Sequence, residues 1–476
     1  MAGRLIRRSS ESEVVELEWD DNSRLSLVRH ETDGHGIYTE SFPYTSIGEL
    51  SLHKRIFDDA EFETGYQYDR FGRLEIKTLP DGEVIQYRYH DGNHPKVGSL
   101  SAVERKGAFG NKPLITGINR AGEAINDRGF DFFNGLSQRR SLDVDGNITF
   151  AGGAQTAFSS IKWRKGQLGV QFKPAISDQV SSNMEEIGAV SSPNNTLSIL
   201  PFSHPNYDIP YNPDVEYHYP AEPTLYDDRG LVRKSMEMIG LANHFADSDG
   251  NGWHPEPVKW GSAKYSQRGE MVNDGSHHYQ WDVFGRLTAV YKEEGDGSRT
   301  LVASYKYNFF GERISKTIHK NARGHHPGEM DGETTLFLYD GNHIAAEAGV
   351  NGVQRQYLYL GNRPVLMQES KQYYPIHTDH RFAPLAVTDK KRRVIWKARV
   401  GDNGASQRNS GAWMVMPLRG SNQYHDAETG LHYNLNRYMD PVVGRYLSTD
   451  PKGLEVGPDL YLFALGQPHR FVDLDG

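Results

Sequence analysis

One short unit recurs along this chain, and it constrains the fold more than any other feature. Each copy joins a tyrosine-rich stretch to an Asp-x-x-Gly turn and a second alternating stretch. In residues 66–93 the first turn is Asp69–Gly72 and the second is Pro80–Gly82. Each contains a glycine, the residue that adopts a positive φ without strain. Leu74–Lys77 and Val84–Tyr89 alternate with period two, which predicts strands. A series of such units predicts a repetitive sheet in which each strand packs on its neighbours.

The unit is repeated several times. The turn returns at Asp282–Gly285 and, with asparagine in the aspartate position, at Asn308–Gly311. Looser copies and two Gly-Asn hairpins extend the series at residues 130–147, 225–238, 336–347 and 356–367. Helical periodicity is nearly absent, and its best stretch, residues 182–190, is short. The sequence therefore predicts an all-β fold.

Composition narrows the class of protein. The 476 residues include no cysteine, which excludes disulfides, thiol nucleophiles and cysteine–zinc sites and favours folding in a reducing cytoplasm. The net charge of -9 does not suggest a nucleic-acid binder. No signal-peptide core and no apolar run of about 18 residues occurs, so no membrane span is predicted.

Five segments are predicted from the repeats and their interruption. A stretch rich in proline and asparagine separates two groups of repeats and predicts a long ordered loop. The predicted segments are an N-terminal β segment (1–65), a repeat region (66–190), the proline-rich insertion (191–224), a second repeat region (225–372) and a C-terminal domain (373–476).

The repeats and the C-terminal domain resemble a known family. The units are similar to the YD repeats of Rhs proteins, a family of bacterial polymorphic toxins and of C components of insecticidal toxin complexes. Residues 422–454 are very similar to the Rhs-associated core domain, and residues 373–398 resemble its Tyr-His-Thr-Asp-His segment. The resemblance implies a strand ribbon that spirals into a hollow, possibly partial Rhs shell. It further implies that the shell encloses a C-terminal toxin segment and that the core domain plugs one end. The same domain would release the toxin by cutting after Pro-x-x-x-x-Asp-Pro-x-Gly-Leu.

The last residues follow this cleavage motif with one departure. Pro468 and Asp473 match its proline and aspartate, Asp475 occupies the variable position and Gly476 matches the glycine. Leu474 replaces the second proline. The end at Gly476 is therefore expected to lie on the N-terminal side of a self-made cut or at a boundary close to it.

A second aspartate of the family motif corresponds to Asp450, in Leu-Ser-Thr-Asp-Pro-Lys-Gly-Leu. The resemblance implies that Asp450 and Asp473 form the catalytic pair of an aspartyl autoprotease. Two carboxylates held close together would share one proton, so that one activates water and the other donates a proton. Which carboxylate is acid and which is base stays open. From residue type alone, these aspartates, like Asp440 and Asp459, are better interpreted as turn residues.

Other polar clusters carry weaker signals. His377, Asp379 and His380 have a metal-like spacing, but no helix is predicted there and a structural hydrogen-bonding role is expected. Residues 324–333 are interpreted as a solvated hairpin tip. No phosphate-binding or dinucleotide motif is present, and neither a cofactor nor a metal ion is predicted.

The leading hypothesis is a self-cleaving shell that encapsulates and delivers a toxin located beyond Gly476. Its predicted setting is type VI secretion in interbacterial competition, with synthesis in the bacterial cytoplasm and delivery to a target cell. Expected partners are the toxin segment, a second copy in a twofold dimer or another shell protein, and a secretion apparatus or chaperone. The alternative is a non-catalytic binding or assembly module, which Leu474 favours, or an encapsulation subunit of a toxin complex.

Overall fold

A computed structural model gives the fold of this protein. It describes residues 5–9, 13–32, 37–58, 60–92, 98–108, 110–118, 128–142, 148–152, 160–164, 167–171, 197–199, 263–319, 332–349, 351–379, 381–400, 406–408, 414–420, 422–453, 459–466 and 472–476. These residues form antiparallel strands joined by short turns, with no α-helix among them. The predicted all-β class is confirmed.

Sixteen strands form the first sheet, and each pairs with its neighbours in the sequence. They are β1 Arg7–Ser9, β2 Glu13–Trp19, β3 Leu25–Thr32, β4 Ile37–Ser41, β5 Leu52–Phe57, β6 Ala60–Tyr68, β7 Leu74–Thr78, β8 Val84–Tyr89, β9 Leu100–Arg105, β10 Lys112–Thr116, β11 Arg128–Phe132, β12 Ser137–Leu142, β13 Ile148–Gly152, β14 Ser160–Arg164, β15 Gln167–Gln171 and β16 Leu197–Ile199. Strands β7 and β8 agree closely with the two strands that the alternation predicts.

Fourteen strands form the second sheet, again in sequence order. They are β17 Lys264–Tyr265, β18 Met271–Asn273, β19 His277–Trp281, β20 Leu287–Glu293, β21 Arg299–Tyr307, β22 Arg313–Ile318, β23 Thr334–Asp340, β24 His343–Gly349, β25 Gly352–Leu360, β26 Arg363–Glu369, β27 Gln372–Thr378, β28 Pro384–Thr388, β29 Val394–Val400 and β30 Ser406–Arg408. Both predicted Gly-Asn hairpins are present, as β23–β24 and β25–β26.

A third, smaller sheet lies in the C-terminal region. Its strands are β31 Tyr424–His425, β32 His432–Asn434, β33 Arg437–Asp440 and β34 Arg445–Tyr446, followed by a 3-10 turn at Phe463–Gly466. Met439, Tyr446, Phe463 and Ala464 pack into a buried cluster beneath it. The residues predicted for the catalytic site, Asp450 and Asp473, follow the last strand of this small sheet.

The chain forms two compact units that cross the predicted segment limits. Unit 1 consists of Met1–Ser141, Tyr307–Glu312 and Ala348–Gln354, and unit 2 of Leu142–Lys306, Arg313–Glu347 and Arg355–Gly476. The limits at residues 65, 190, 224 and 372 stay predictions. Residues 182–190 and most of the 191–224 insertion and of 324–333 lie outside the described residues.

The repeat turn is locked by its aspartate and by an arginine four residues later. Asp69 Oδ1 accepts hydrogen bonds from the backbone N–H groups of Phe71 (2.8 Å) and Arg73 (3.1 Å), and its Oδ2 accepts one from Arg73 Nε (2.7 Å). The φ of Gly72 is 73°, in the region that glycine adopts without strain. The Arg73 guanidinium lies 4.3 Å from the ring centroid of Tyr89 on a nearby strand. The same lock recurs at Asp20–Arg24, Asp282–Arg286 and Asp389–Arg393.

One turn in unit 1 replaces both members of this lock. Asn308 stands in the aspartate position and Glu312 in the arginine position. Asn308 Oδ1 still accepts the backbone N–H groups of Phe310 and Glu312, both at 3.0 Å. Its Nδ2 donates to Glu312 Oε2 (2.7 Å) and to Glu40 Oε1 (3.2 Å). Two carboxyl groups therefore meet at this turn.

Candidate active site

The candidate site lies in unit 2, where the end of the chain meets the small sheet. Asp450 follows β34, and its backbone N–H donates to Leu460 O (2.9 Å) while its own carbonyl accepts from Gly453 N (2.9 Å). Its Oδ1 accepts from the backbone N–H of Lys452 (2.9 Å), the bond expected of an Asp-Pro turn. These bonds fix the backbone of Asp450 and leave its Oδ2 directed to the interior.

Arg437 on β33 joins the two predicted catalytic aspartates. Its Nη2 lies 2.7 Å from Asp450 Oδ2 and 3.2 Å from Asp473 Oδ2, which limits the separation of these two oxygens to about 6 Å. The Arg437 side chain is 3% exposed, against 11% for Asp450 and 19% for Asp473, so the pairs are shielded from water. The guanidinium also stacks on Tyr446, 3.6 Å from its ring centroid. A buried cation therefore lies between the two carboxylates.

Asp473 is the more constrained of the two aspartates. Its Oδ2 accepts from the Tyr446 hydroxyl (2.7 Å) as well as from Arg437, and its Oδ1 accepts from the backbone N–H of Gly476 (3.0 Å). Burial, together with the charge of Asp473, raises the pKa of Tyr446 well above its usual value, so this phenol stays a donor. Asn434 Nδ2 donates to the same hydroxyl (2.8 Å). Both oxygens of Asp473 are thus occupied by donors.

Three asparagines hold the backbone of the last residues. Asn434 Nδ2 donates to Asp473 O (3.1 Å), Asn422 Nδ2 to Leu474 O (3.1 Å) and Asn436 Nδ2 to Asp475 O (2.9 Å). Amide side chains can reach these carbonyls because the tail runs against the small sheet. The tail is therefore fixed along its backbone, independently of its side chains.

Gly476 occupies a position that admits no side chain. Its φ is 75°, and a Cβ placed on it would lie 1.9 Å from Asn434 O. Both the backbone conformation and the space require glycine there. This gives a physical reason for the glycine of the cleavage motif.

The predicted site residues have different outcomes. Asp450 and Asp473 both form ion pairs with Arg437. Asp475 is exposed, and Pro468 lies outside the described residues. Leu474 takes part through its carbonyl, which replacing proline by leucine does not alter.

The other two aspartates considered as turn residues have structural partners. Asp440 caps its turn through the backbone N–H of Val442 (2.8 Å), and Asp459 forms a two-bond pair with Arg445 (2.7 and 2.9 Å). These contacts agree with the turn interpretation of Asp440 and give Asp459 an ion pair that spacing did not suggest.

Sequence reasoning missed Arg437 and Tyr446, although both lie in the stretch that carries the family resemblance. The expectation of a shared proton treated the two carboxylates as an isolated pair. Arg437 lies within ion-pair distance of both aspartates, so the two carboxylates are not an isolated pair. A physical argument could have indicated these two residues, because two partly buried carboxylates need a nearby hydrogen-bond donor or cation.

A second buried network joins three residues of the C-terminal region, Asp426, Glu428 and Tyr438, to strand β22 within unit 2. Arg313 Nη1 bonds to Asp426 Oδ2 and lies 3.0 Å from the Tyr438 hydroxyl. Lys316 Nζ lies 3.4 Å from Asp426 Oδ1 and 3.1 Å from Glu428 Oε2. All four charged side chains are at most 1% exposed, and the charges balance. Removing any one would leave an uncompensated buried charge.

His377 and Asp379 make structural contacts. His377 Nε2 lies 3.0 Å from Thr388 Oγ1, and burial lowers the pKa of this histidine to about 3. Asp379 accepts from the backbone of Arg381 and Ala383. His380 lies outside the described residues, and within the described part of the chain no group of three metal-ligating side chains occurs.

Comparisons with known proteins agree with this architecture. A family model described as Teneurin YD-shell matches residues 256–456. Toxin protein Tse5 of Pseudomonas aeruginosa is 30% identical over 233 residues, covering 41% of this chain and 17% of that protein. The tRNA nuclease WapA of Bacillus subtilis is 29% identical over 226 residues, covering 45% of this chain and 9% of that protein. The chain thus spans less than a fifth of the length of these relatives.

Solved structures carry the same fold over nearly the whole chain. The TcdB2–TccC3 complex matches 97% of this chain with a TM-score of 0.62 at 13% identity, over 27% of that chain. The fold is an antiparallel YD-repeat shell fold. The family-model match, these relatives and the shared fold support an Rhs/YD-repeat shell protein. Among the described residues no helix is long and apolar enough to cross a membrane.

Proposed function

We propose that this protein encloses a C-terminal toxin segment as part of an Rhs shell and frees that segment by cutting its own chain. The shell fold and the toxins among its relatives support the enclosing role. The observation that carries the cutting role is the position of Arg437 Nη2, within 2.7 Å of Asp450 and 3.2 Å of Asp473. Both aspartates are the residues that the family motif marks.

The proposed reaction is hydrolysis of a peptide bond just beyond Gly476 in a chain that continues past it. Asp450 Oδ2 takes a proton from a water molecule, whose oxygen attacks the scissile carbonyl carbon. The Arg437 guanidinium stabilises the negative charge that forms on the carbonyl oxygen. The proton on Asp450 then passes to the leaving nitrogen, the C–N bond breaks, and a carboxylic acid and an amine result.

In this scheme Asp473 positions the substrate. Its Oδ1 holds the Gly476 N–H, and its Oδ2 is occupied by Tyr446 and Arg437. A tail held by its own backbone bonds needs no diffusion and gains a high effective concentration, which suits a reaction that occurs once per chain.

The test uses the chain extended past Gly476 by its natural continuation or by a leucine and a reporter protein. The extended parent should yield two fragments with the new end just beyond Gly476, as read by intact mass. D450N should abolish cutting and D473N should slow it. D475N is the matched control, because Asp475 lies in the same tail but is 53% exposed. Cutting of D450N at the parent rate would refute the proposal.

A second candidate function is a non-catalytic clasp that ties the tail to the shell. The specific observation that favours it is that both Asp473 oxygens and the carbonyls of residues 473–475 are already hydrogen bonded. The clasp predicts an extended chain that stays intact and a lower unfolding midpoint for D473N. Intact mass of the same extended chain and the unfolding midpoint of D473N decide between the two.

The setting of this activity is also a proposal. Delivery to a competing bacterium through type VI secretion is favoured, with a toxin-complex route second, because toxins occur among the relatives. The protein would be made in the cytoplasm with its secretion apparatus or chaperone as a partner. Co-purification of the full-length product with secretion components tests this route.

Pairing with a second copy or another shell protein is proposed from exposed apolar side chains at the repeat turns. Phe71 is 65% and Val283 67% exposed, far more than turn residues that pack internally. Light scattering after size exclusion gives the answer: a single species of 53.7 kDa contradicts self-association.

A further inference from the structure

Arg419 is a buried cation without a compensating anion. It lies in a tight turn closed by Arg419 N–H to Gln423 O (2.7 Å) and Gln423 N–H to Gly420 O (3.1 Å). The residue is 7% exposed. Its Nη1 donates to Met416 O (2.6 Å) and Leu418 O (2.9 Å), whereas its Nε is buried without an acceptor. Within the described residues no carboxylate forms an ion pair with it.

The surroundings do not compensate this charge. Burial lowers the pKa of Arg419 to about 9, and the groups that oppose this effect are the hydroxyls of Tyr424 and Tyr357 rather than carboxylates. The neighbouring His432 is kept neutral, since burial and the Arg419 charge lower its pKa well below the usual value. Other buried arginines of this chain behave differently: Arg313 has Asp426, and Arg437 has two aspartates. A buried charge left alone is costly, so its presence calls for a partner.

A small cavity is lined in part by Arg419. Its other lining residues include the polar Asn422 and Gln423 and the apolar Phe382 and Leu418. Its volume of about 10 Å³ suits one small group. A water molecule fits this space, but it carries no charge to balance the guanidinium.

The cavity also touches the element that holds the tail. Asn422, which lines it, donates through Nδ2 to Leu474 O (3.1 Å) and lies with Oδ1 2.8 Å from His343 Nδ1. A ligand beside Asn422 would stabilise the turn that fixes the residue next to Asp473. Occupancy of the cavity is thereby linked to the order of the candidate active site.

We propose that the Arg419 cavity is a binding site for one small anion, either a free monovalent anion of chloride size or a single carboxylate from the chain beyond Gly476. Both sources supply the same chemistry, a compact negative charge that accepts from the guanidinium and from the amide of Asn422 or Gln423. The site is independent of peptide-bond cleavage, and it exists whether or not the chain cuts itself.

The experiment compares anions of different size at constant ionic strength. Chloride and bromide should raise the thermal unfolding midpoint of the parent saturably, by on the order of a few degrees, whereas gluconate is too large to enter. R419Q should lose this response. R299Q, at an exposed arginine of β21, should keep it.

Crystals soaked in bromide give a readout that needs no variant. An anomalous peak between Arg419 and Asn422 supports the site, and its absence there overturns the proposal. An equal midpoint response in parent and R419Q overturns it as well. A chain extended past Gly476 separates the sources: a retained response indicates a free anion, and a response lost only in the extended chain indicates a carboxylate of the added segment.

Discussion

The turn at Asn308–Glu312 predicts a stability that depends on pH. Glu312 is partly buried in unit 1 near Glu40, whose carboxyl group has Arg55 3.8 Å and His53 3.7 Å away. Burial, and after it the charge of Glu40, raises the pKa of Glu312 to about 7 from 4.5. Replacing Glu312 by glutamine keeps the acceptor for Asn308 Nδ2 and removes the titration.

The sign follows from the raised pKa. The folded state favours the neutral form of Glu312. Its contribution to the free energy of unfolding is therefore fully present below the unfolded pKa of 4.5 and is lost as the pH rises through about 7. Each pKa unit corresponds to about 1.36 kcal/mol, so the full effect is about 3 kcal/mol. At pH 8 the E312Q variant should therefore gain about 3 kcal/mol in free energy of unfolding over the parent, relative to their difference at pH 4.5.

Urea unfolding of parent and variant between pH 4.5 and pH 8 measures this difference directly. Hydrogen exchange of peptides from β4 and β5 localises it, because Glu40 and Arg55 lie on those strands. E63Q is the control: Glu63 lies on β6 in the same unit, and its side chain is 50% exposed. If parent and E312Q lose the same free energy between pH 4.5 and pH 8, the electrostatic account of this turn is wrong.

Three further outcomes are expected. In an extended chain, G476A should slow cutting at least tenfold, as followed on gels, because a Cβ would lie 1.9 Å from Asn434 O; cutting at the parent rate would show that the tail has another register. R437Q should both slow cutting and lower the free energy of unfolding by about 3 kcal/mol in urea, since two partly buried carboxylates lose their cation. D426N should lower the urea midpoint by an amount equivalent to about 3–5 kcal/mol without altering the cleavage position, because the fully buried Arg313 loses its carboxylate; an unchanged midpoint would show that water reaches this network.

Local signals predicted the strands and turns well. The alternation at Val84–Tyr89 and the glycine of Asp69–Gly72 are sufficient because each strand pairs with its sequence neighbours. The spacing also marks the aspartate of the turn lock. It does not reveal that the arginine four residues later completes the lock, which becomes apparent from the bond between Arg73 Nε and Asp69 Oδ2.

Features that depend on distant residues were not predictable in the same way. Arg437 and Asp473 are 36 positions apart, and Arg313 and Asp426 are 113 apart, so no periodicity links them. Glu312 left one trace in the sequence: it stands where the turns at Asp69, Asp282 and Asp389 carry arginine. Aligning the repeats by charge would have identified this turn as unusual.

The neighbour-by-neighbour order of the strands has a consequence for synthesis. In both large sheets every strand pairs with the one made just before it, so an emerging chain can add strands in the order in which the ribosome releases them. No early strand has to wait for a distant partner. The Arg313–Asp426 pair can close only after Asp426 has emerged, and Arg437 can hold both Asp450 and Asp473 only after Asp473 has emerged. Translation itself would then delay assembly of the candidate active site until the strands that precede it in the sequence have been made.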